Sequence, residues 1–100
     1  MKVNVQSVNF NADQKLIDFI QKKMDKLENY YSKVVYADVF LKVQNTSDKA
    51  NKITEILLSI PGEEIMVKKT CKKFEGCVDE CVNSLQRQLI KRKEKSKLYA

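Results

Sequence analysis

The apolar positions along the chain repeat either every two residues or every three to four residues. Lys2–Asn9 alternates between valine and polar side chains, which predicts a strand with one buried face. Three further stretches are rich in β-branched and other apolar residues and predict strands: Val34–Val43, Lys52–Ile60 and Glu63–Cys71. Because Pro61-Gly62 separates the last two stretches, we expect a tight turn and an antiparallel pair there.

Two stretches place apolar residues three and four apart, the period of a helix packed along one side. The first runs from Gln14 to about Tyr31, with Asn11 or Asp13 as its N-cap. Its predicted buried residues are Leu16, Ile17, Ile20, Met24, Leu27 and Tyr31. The second runs from Phe74 to Lys97, with a predicted buried stripe of Phe74, Cys77, Val78, Cys81, Val82, Leu85 and Leu89.

The element order is therefore β-α-β-β-β-α, which predicts an α+β two-layer sandwich. We expect a four-stranded sheet with two helices packed on one face, in one domain spanning residues 1–100 with a frayed end. No apolar run approaches the ~20 residues of a membrane span, and the alternating start does not resemble a secretory signal. Three cysteines without framework spacing indicate reduced thiols, so we expect a cytoplasmic protein. Nothing in the sequence demands an oligomer, and we expect a monomer when the protein is free.

The positive charge is concentrated at the end of the second helix. The chain carries a formal net charge of +6, and between Gln86 and Lys97 six bases stand against the single acid Glu94. A helix C-terminus favours each nearby cation by ~0.3–1 kcal/mol, and this preference does not account for an excess of six bases over one acid. The alternative is a solvated face of snorkelling lysines. We favour a surface that binds the phosphates of a polyanion.

Catalytic and metal chemistry find little support in the sequence. The chain has no histidine, no Gly-rich phosphate loop and no tight Cys-x-x-Cys pair. Cys77 and Cys81 fall within the apolar stripe, where cysteine acts as a small hydrophobe. The neighbouring acids Glu63-Glu64 and Asp79-Glu80 diverge instead of converging on a site. We expect no enzyme, no metal, no cofactor and no small-molecule substrate.

The aromatic residues do not form the signature of a sheet that stacks RNA bases. Phe40 lies in an apolar strand and Phe74 in the helix stripe, so we expect both in the core. Tyr30, Tyr31 and Tyr36 cluster near the end of the first helix and the second strand, where one could be exposed.

Two motifs on this element order resemble the ribosome hibernation promoting factor family. They are Lys23-x-x-Lys26-Leu27-Glu28-x-Tyr30 on the first helix and Arg87-Gln88-Leu89-x-Lys91-x-x-x-Lys95 on the last, and the resemblance covers essentially the whole chain. It implies a stress or stationary-phase factor that occupies the messenger and transfer RNA channel of the small ribosomal subunit. Such a protein blocks translation and protects idle ribosomes.

The resemblance also implies which residues bind ribosomal RNA. Lys23 and Lys26 would join Arg87, Lys91 and Lys95 in one basic surface across the paired helices. Arg92 and Lys93 are added from charge density alone. The chain has Lys72-Lys73 where the family has an Asp cap, so Thr70 or no side chain would cap the last helix. It ends at Ala100 without an acidic tail or further domain, as in short forms, which either promote or oppose ribosome pairing.

Two other classes of protein stay open at this point. One is a general binder of structured RNA outside the ribosome, since double-stranded RNA-binding folds have a similar element order. The other is a peripheral membrane protein using the last helix as a basic amphipathic segment. The membrane hypothesis is disfavoured because the apolar stripe lies upstream of the bases and is needed for the core.

Overall fold

The computed structural model describes residues 1–8, 10–47 and 49–98, and the side chains of 94–98 lie outside that description. Its elements are β1 (Lys2–Val8), α1 (Gln14–Tyr30), β2 (Tyr36–Val43), β3 (Lys52–Ile60), β4 (Glu63–Cys71) and α2 (Phe74–Leu98). The predicted order and the bounds of β3 and β4 are confirmed. β2 begins two residues later than predicted, at Tyr36 instead of Val34.

The four strands form one sheet in the order β1-β2-β3-β4. β1 pairs parallel to β2, as it must when α1 crosses over between them, and the other two pairs are antiparallel. Pro61-Gly62 closes the turn between β3 and β4, as predicted. Gly62 has a φ of 77°, in the left-handed region that a residue without a Cβ adopts most easily.

Both helices pack on one face of the sheet, as the sequence predicts. All seven residues of the predicted α2 stripe are buried, and so are Leu16, Ile20, Met24 and Leu27 of α1. The alternate residues Ala37, Val39 and Leu41 of β2 complete the core from the sheet side. Ile17 and Tyr31 are only half-buried, so their predicted burial is wrong. Tyr31 lies just past the helix, where its N–H donates to the Leu27 carbonyl at 3.1 Å.

The first helix begins at a side-chain cap. The Asp13 Oδ1 accepts a hydrogen bond from the Leu16 N–H at 2.8 Å, which satisfies one of the unpaired donors of the first turn. Of the two N-cap candidates, Asp13 is therefore the one used.

In the described part of the chain no helix covers the opposite face of the sheet, and Phe40 lies on that face. Because Val39 and Leu41 point into the core, Phe40 between them must point outward, where it is half-exposed. The predicted core position of Phe40 is therefore wrong. Phe74 is buried as expected, with its ring stacked on Phe10 at 5.0 Å between centroids.

The cysteines on α2 lie in the core, as predicted. The Cys77 and Cys81 thiols are fully buried and donate weak hydrogen bonds to the carbonyls of Lys69 at 3.3 Å and Thr54 at 3.7 Å. Burial raises the pKa of the Cys81 thiol to about 12. Among the described residues no three His, Cys, Asp or Glu side chains come together as a metal site.

Candidate nucleic-acid interface

Helices α1 and α2 lie side by side and run in the same direction. Asp13 and Leu16 at the start of α1 line one depression together with Phe74 and Glu75 at the start of α2. Further along, the α1 residues from Lys23 to Tyr30 face the α2 residues from Asp79 to Gln86. The cations of both helices are therefore presented on the helix layer of the molecule, away from the open face of the sheet.

Lys23 and Lys26 occupy adjacent turns of α1 but differ in their surroundings. The Lys23 ammonium pairs with the Asp79 carboxylate of α2 at 2.8 Å and lies 5.4 Å from the centre of the Phe19 ring. Lys26 is exposed. The Lys23–Asp79 pair joins the two helices and partly neutralises one of the predicted phosphate-binding charges.

Arg87 and Lys91 lie one turn apart on the exposed face of α2. At ~100° per residue they are separated by only about 40° around the helix axis, so both project in the same direction. Neither side chain has an ion-pair partner in residues 1–8, 10–47 and 49–93. The structure thus brings these two predicted residues together as available charges.

Arg92 projects elsewhere, since it is turned by roughly 140° from Arg87 around the helix. Its Nε donates to Glu63 Oε2 at 2.9 Å, its Nη2 bonds the other oxygen of that carboxylate, and its Nη1 donates to the Gln88 carbonyl at 3.0 Å. The hydrogen bonds to Glu63 raise the pKa of Arg92. Arg92 therefore lies beside the start of β4 and not in the row of Arg87 and Lys91.

Two further basic residues of α2 are Lys93 and Lys95. Lys93 is exposed, whereas the side chain of Lys95 lies outside the described residues. We define the basic surface as Lys23, Lys26, Arg87 and Lys91. These are four of the six residues predicted to bind RNA. RNA contact by all six stays a prediction.

A groove between the helices is a feature that the sequence did not indicate. It has a volume of about 190 Å³ and is lined by Lys23, Lys26, Leu27, Tyr30, Asp79, Val82, Asn83 and Gln86. We call it the inter-helix groove. Asn83 and Gln86 were missed because uncharged amides on a helix carry no signal in the sequence until the facing helix is known. Their spacing of three residues, which places both on one face, was the one available hint.

The described part of the chain contains no helix with the length and apolarity needed to cross a bilayer. The apolar side of α2 is occupied by the core, since all seven of its predicted stripe residues are buried there. This leaves the polar side of α2 as its accessible surface.

Comparison with known protein sequences points to one family. Residues 3–97 match the sequence model of the family described as "Sigma 54 modulation protein / S30EA ribosomal protein". The ribosome hibernation promoting factor of Pseudomonas putida is 30% identical over 95 residues, which cover 95% of this chain and 89% of that protein. The protein of the same name from Escherichia coli K12 is 29% identical, over 99% of this chain and 100% of the relative.

A solved structure has the same fold. The ribosomal subunit interface protein of Coxiella burnetii superimposes with a TM-score of 0.83 at 18% sequence identity, covering 94% of this chain and 99% of that one. At this level of identity the similarity confirms the α+β sandwich.

Proposed function

Since the chain belongs to the Sigma 54 modulation protein / S30EA ribosomal protein family, we propose that it is a ribosome hibernation factor. It binds the small ribosomal subunit in the channel that messenger RNA and the transfer RNA anticodon ends would occupy. By filling that space it blocks translation and protects idle ribosomes, either alone or by favouring their pairing.

The observation that carries this proposal is the basic surface on the helix layer. Lys26, Arg87 and Lys91 are exposed on neighbouring helices, and Lys23 lies beside them. A cluster of cations on one side of a rigid scaffold matches the regular phosphate spacing of folded RNA better than it matches a small ligand. The helices that carry the cations are fixed by the buried core beneath them, so the points where the charged side chains attach are held in place before binding.

The mechanism is steric occlusion with electrostatic attachment. Contacts to phosphates position a protein on RNA without reading its sequence, and they release condensed counterions. Four such contacts predict a slope of log K against log salt of roughly −3 to −4. Binding is therefore strong at low salt and falls steeply as salt is added.

No covalent chemistry is needed for this function. The family description and the names of the relatives denote ribosome association and not a reaction. We propose that the chain acts without cofactor or substrate, as a single domain, in the cytoplasm where ribosomes are found.

The first test is co-sedimentation of the purified protein with ribosomes through a sucrose gradient at two salt concentrations. We expect about one protein per small subunit, and less at the higher salt. Arg87→Glu with Lys91→Glu should abolish association while leaving the fold intact, because both residues lie off the buried stripe.

A matched control is Lys2→Glu with Lys42→Glu. It changes the net charge by the same amount on the open face of the sheet, where both lysines are exposed. This control should still sediment with ribosomes. If the α2 variant binds as well as the wild type, the basic surface is not the interface. If the wild-type protein stays at the top of the gradient but binds duplex RNA, it is a general RNA binder.

A further inference from the structure

The inter-helix groove brings cationic, aromatic and amide side chains together on the same side of the molecule as the basic surface. On α1, Lys23, Lys26 and Tyr30 follow at steps of three and four, so they share one face of that helix. On α2, the groove-lining residues Asp79, Asn83 and Gln86 do the same. Each wall of the groove is thus a single helical stripe, and the two stripes face one another.

The groove has an apolar floor and polar walls. Leu27 and Val82 form the floor and are almost fully buried, with 1% and 6% exposure. A volume of about 190 Å³ corresponds to about six water molecules at ~30 Å³ each, which suits one flat heterocycle. The groove is partly enclosed, so one base could enter it while the rest of a nucleotide chain stays outside.

Tyr30 stands at one end of the groove with 44% of its surface exposed. It is an aromatic ring held on a rigid helix and not used by the core. Tyrosine rings in such positions stack against unpaired bases, whatever the base. Lys26 lies one turn earlier on the same stripe, where its ammonium can reach the phosphate next to a stacked base.

Asn83 and Gln86 supply hydrogen-bonding groups on the opposite wall. Each amide offers both a donor and an acceptor, as base edges do. Neither amide has a hydrogen-bond partner within the part of the chain that the structure describes. Their neighbours Leu85 and Leu89 are fully buried, so the helix that carries them cannot turn the amides away.

We propose that the inter-helix groove binds one unstacked nucleotide of single-stranded RNA, stacked on Tyr30, read at its edge by Asn83 and Gln86, and held at its phosphate by Lys26. This rests on the proposed function, since it deepens how the same helix layer meets RNA. The groove adds recognition of a base to a surface that otherwise contacts only phosphates.

The test uses nuclear magnetic resonance on the ¹⁵N-labelled full chain, because side-chain amide signals report directly on Asn83 and Gln86. The probes are four tetraribonucleotides of single base composition, together with an abasic ribose-phosphate tetramer of equal charge. We expect at least one base to bind fivefold or more tighter than the abasic probe, and to shift both side-chain amide signals.

Two variants and their controls assign that difference. Tyr30→Leu and Asn83→Ala with Gln86→Ala should each reduce the preference over the abasic probe to less than twofold. Tyr36→Leu and Gln14→Ala with Gln21→Ala, which remove a tyrosine ring and two side-chain amides outside the groove, should keep it. A melting curve for each variant confirms that it is folded.

Three results would overturn the inference. The wild type could bind the abasic probe as tightly as every base. The groove variants could keep the full preference, which would put the base elsewhere. A free nucleoside monophosphate could bind as tightly as the tetranucleotide, which would indicate a small-ligand pocket. None of these outcomes depends on ribosome sedimentation, so failure of the groove and failure of the proposed function are separately visible.

Discussion

Arg92 on α2 forms a two-pronged ion pair with Glu63, the first residue of β4, across 29 positions of the sequence. The guanidinium also donates to the Gln88 carbonyl of its own helix at 3.0 Å. The pair ties the far part of α2 to the turn between β3 and β4. An arginine that charge density alone would assign to RNA therefore has an intramolecular partner at the start of β4.

The Arg92–Glu63 pair should contribute measurable but modest coupling to stability. Arg92→Ala, Glu63→Gln and the double variant form a cycle in urea unfolding. We expect a coupling of about 0.5–1 kcal/mol, discounted because both side chains are partly exposed. A coupling near zero would mean that the pair does not hold α2 in place. Lys68 and Glu55, a pair at 3.6 Å on the open face, serve as the comparison cycle with a smaller expected value.

Asp79 should restrain ribosome binding by neutralising Lys23. Asp79→Asn removes the carboxylate 2.8 Å from that ammonium and keeps the side-chain size. We expect tighter binding at low salt and a log–log salt slope steeper by up to about one, as for one added phosphate contact. The measurement is ribosome binding over a series of salt concentrations. Glu55→Gln makes the same charge change on the open face and should leave the slope unaltered.

Thr54 should be a site where a single substitution stabilises the fold. Its side chain is fully buried in β3, and its Oγ1 has no hydrogen-bond partner among the described residues. An unsatisfied buried hydroxyl costs about 1–3 kcal/mol, so Thr54→Val should raise the free energy of unfolding by about 1 kcal/mol. Chemical denaturation tests this, and Thr54→Ser, which keeps the hydroxyl, should not stabilise. Unchanged or lower stability in Thr54→Val would indicate that the hydroxyl is satisfied.

The buried thiol of Cys81 should make the fold sensitive to alkali. Its pKa is raised to about 12 in the folded protein, from an ordinary value near 9. A group whose folded pKa is raised contributes stability below its unfolded pKa, and this stability is lost as the pH rises through the folded pKa. The free energy of unfolding should therefore fall between about pH 9 and 12.

Cys81→Ala separates this effect from other groups that titrate in the same range. The variant should lose about 1 kcal/mol or more at neutral pH through the cavity it leaves, and its stability should change less with pH. Parallel pH curves for wild type and variant would contradict the assignment. A metal bound in stoichiometric amount to the native protein would overturn the core role of the cysteines.

The sequence predicted most of the fold because its periods were unambiguous. Both apolar stripes and the Pro61-Gly62 turn determined the helices and the β3–β4 pair. The prediction failed at Phe40, because a strand of mostly apolar residues does not show which of its two faces points inward. That became clear only once Val39 and Leu41 were seen to be buried. Ile17 failed for a similar reason, since it lies at the margin of the α1 stripe.

The candidate site was predictable only in part. Arg87 and Lys91 emerged from their spacing, which alone places them on one side of a helix. Arg92 could not be separated from them without its partner Glu63, which is far away in the sequence. The inter-helix groove depends on the placement of α1 against α2, which no local pattern contains.

The parallel pairing of β1 with β2 has a consequence for the order in which the chain folds. β3 and β4 are joined by a turn of two residues, whereas residues 9–35 intervene between β1 and β2. Closing that longer loop costs more chain entropy before any contact repays it, so β1 should join the sheet last and leave it first. Native-state hydrogen exchange should show the amides of Lys2–Val8 opening at lower free energy than those of Lys52–Ile60. We therefore expect the β3–β4 hairpin to form early and to provide the first surface on which α2, with its row of cations, can pack.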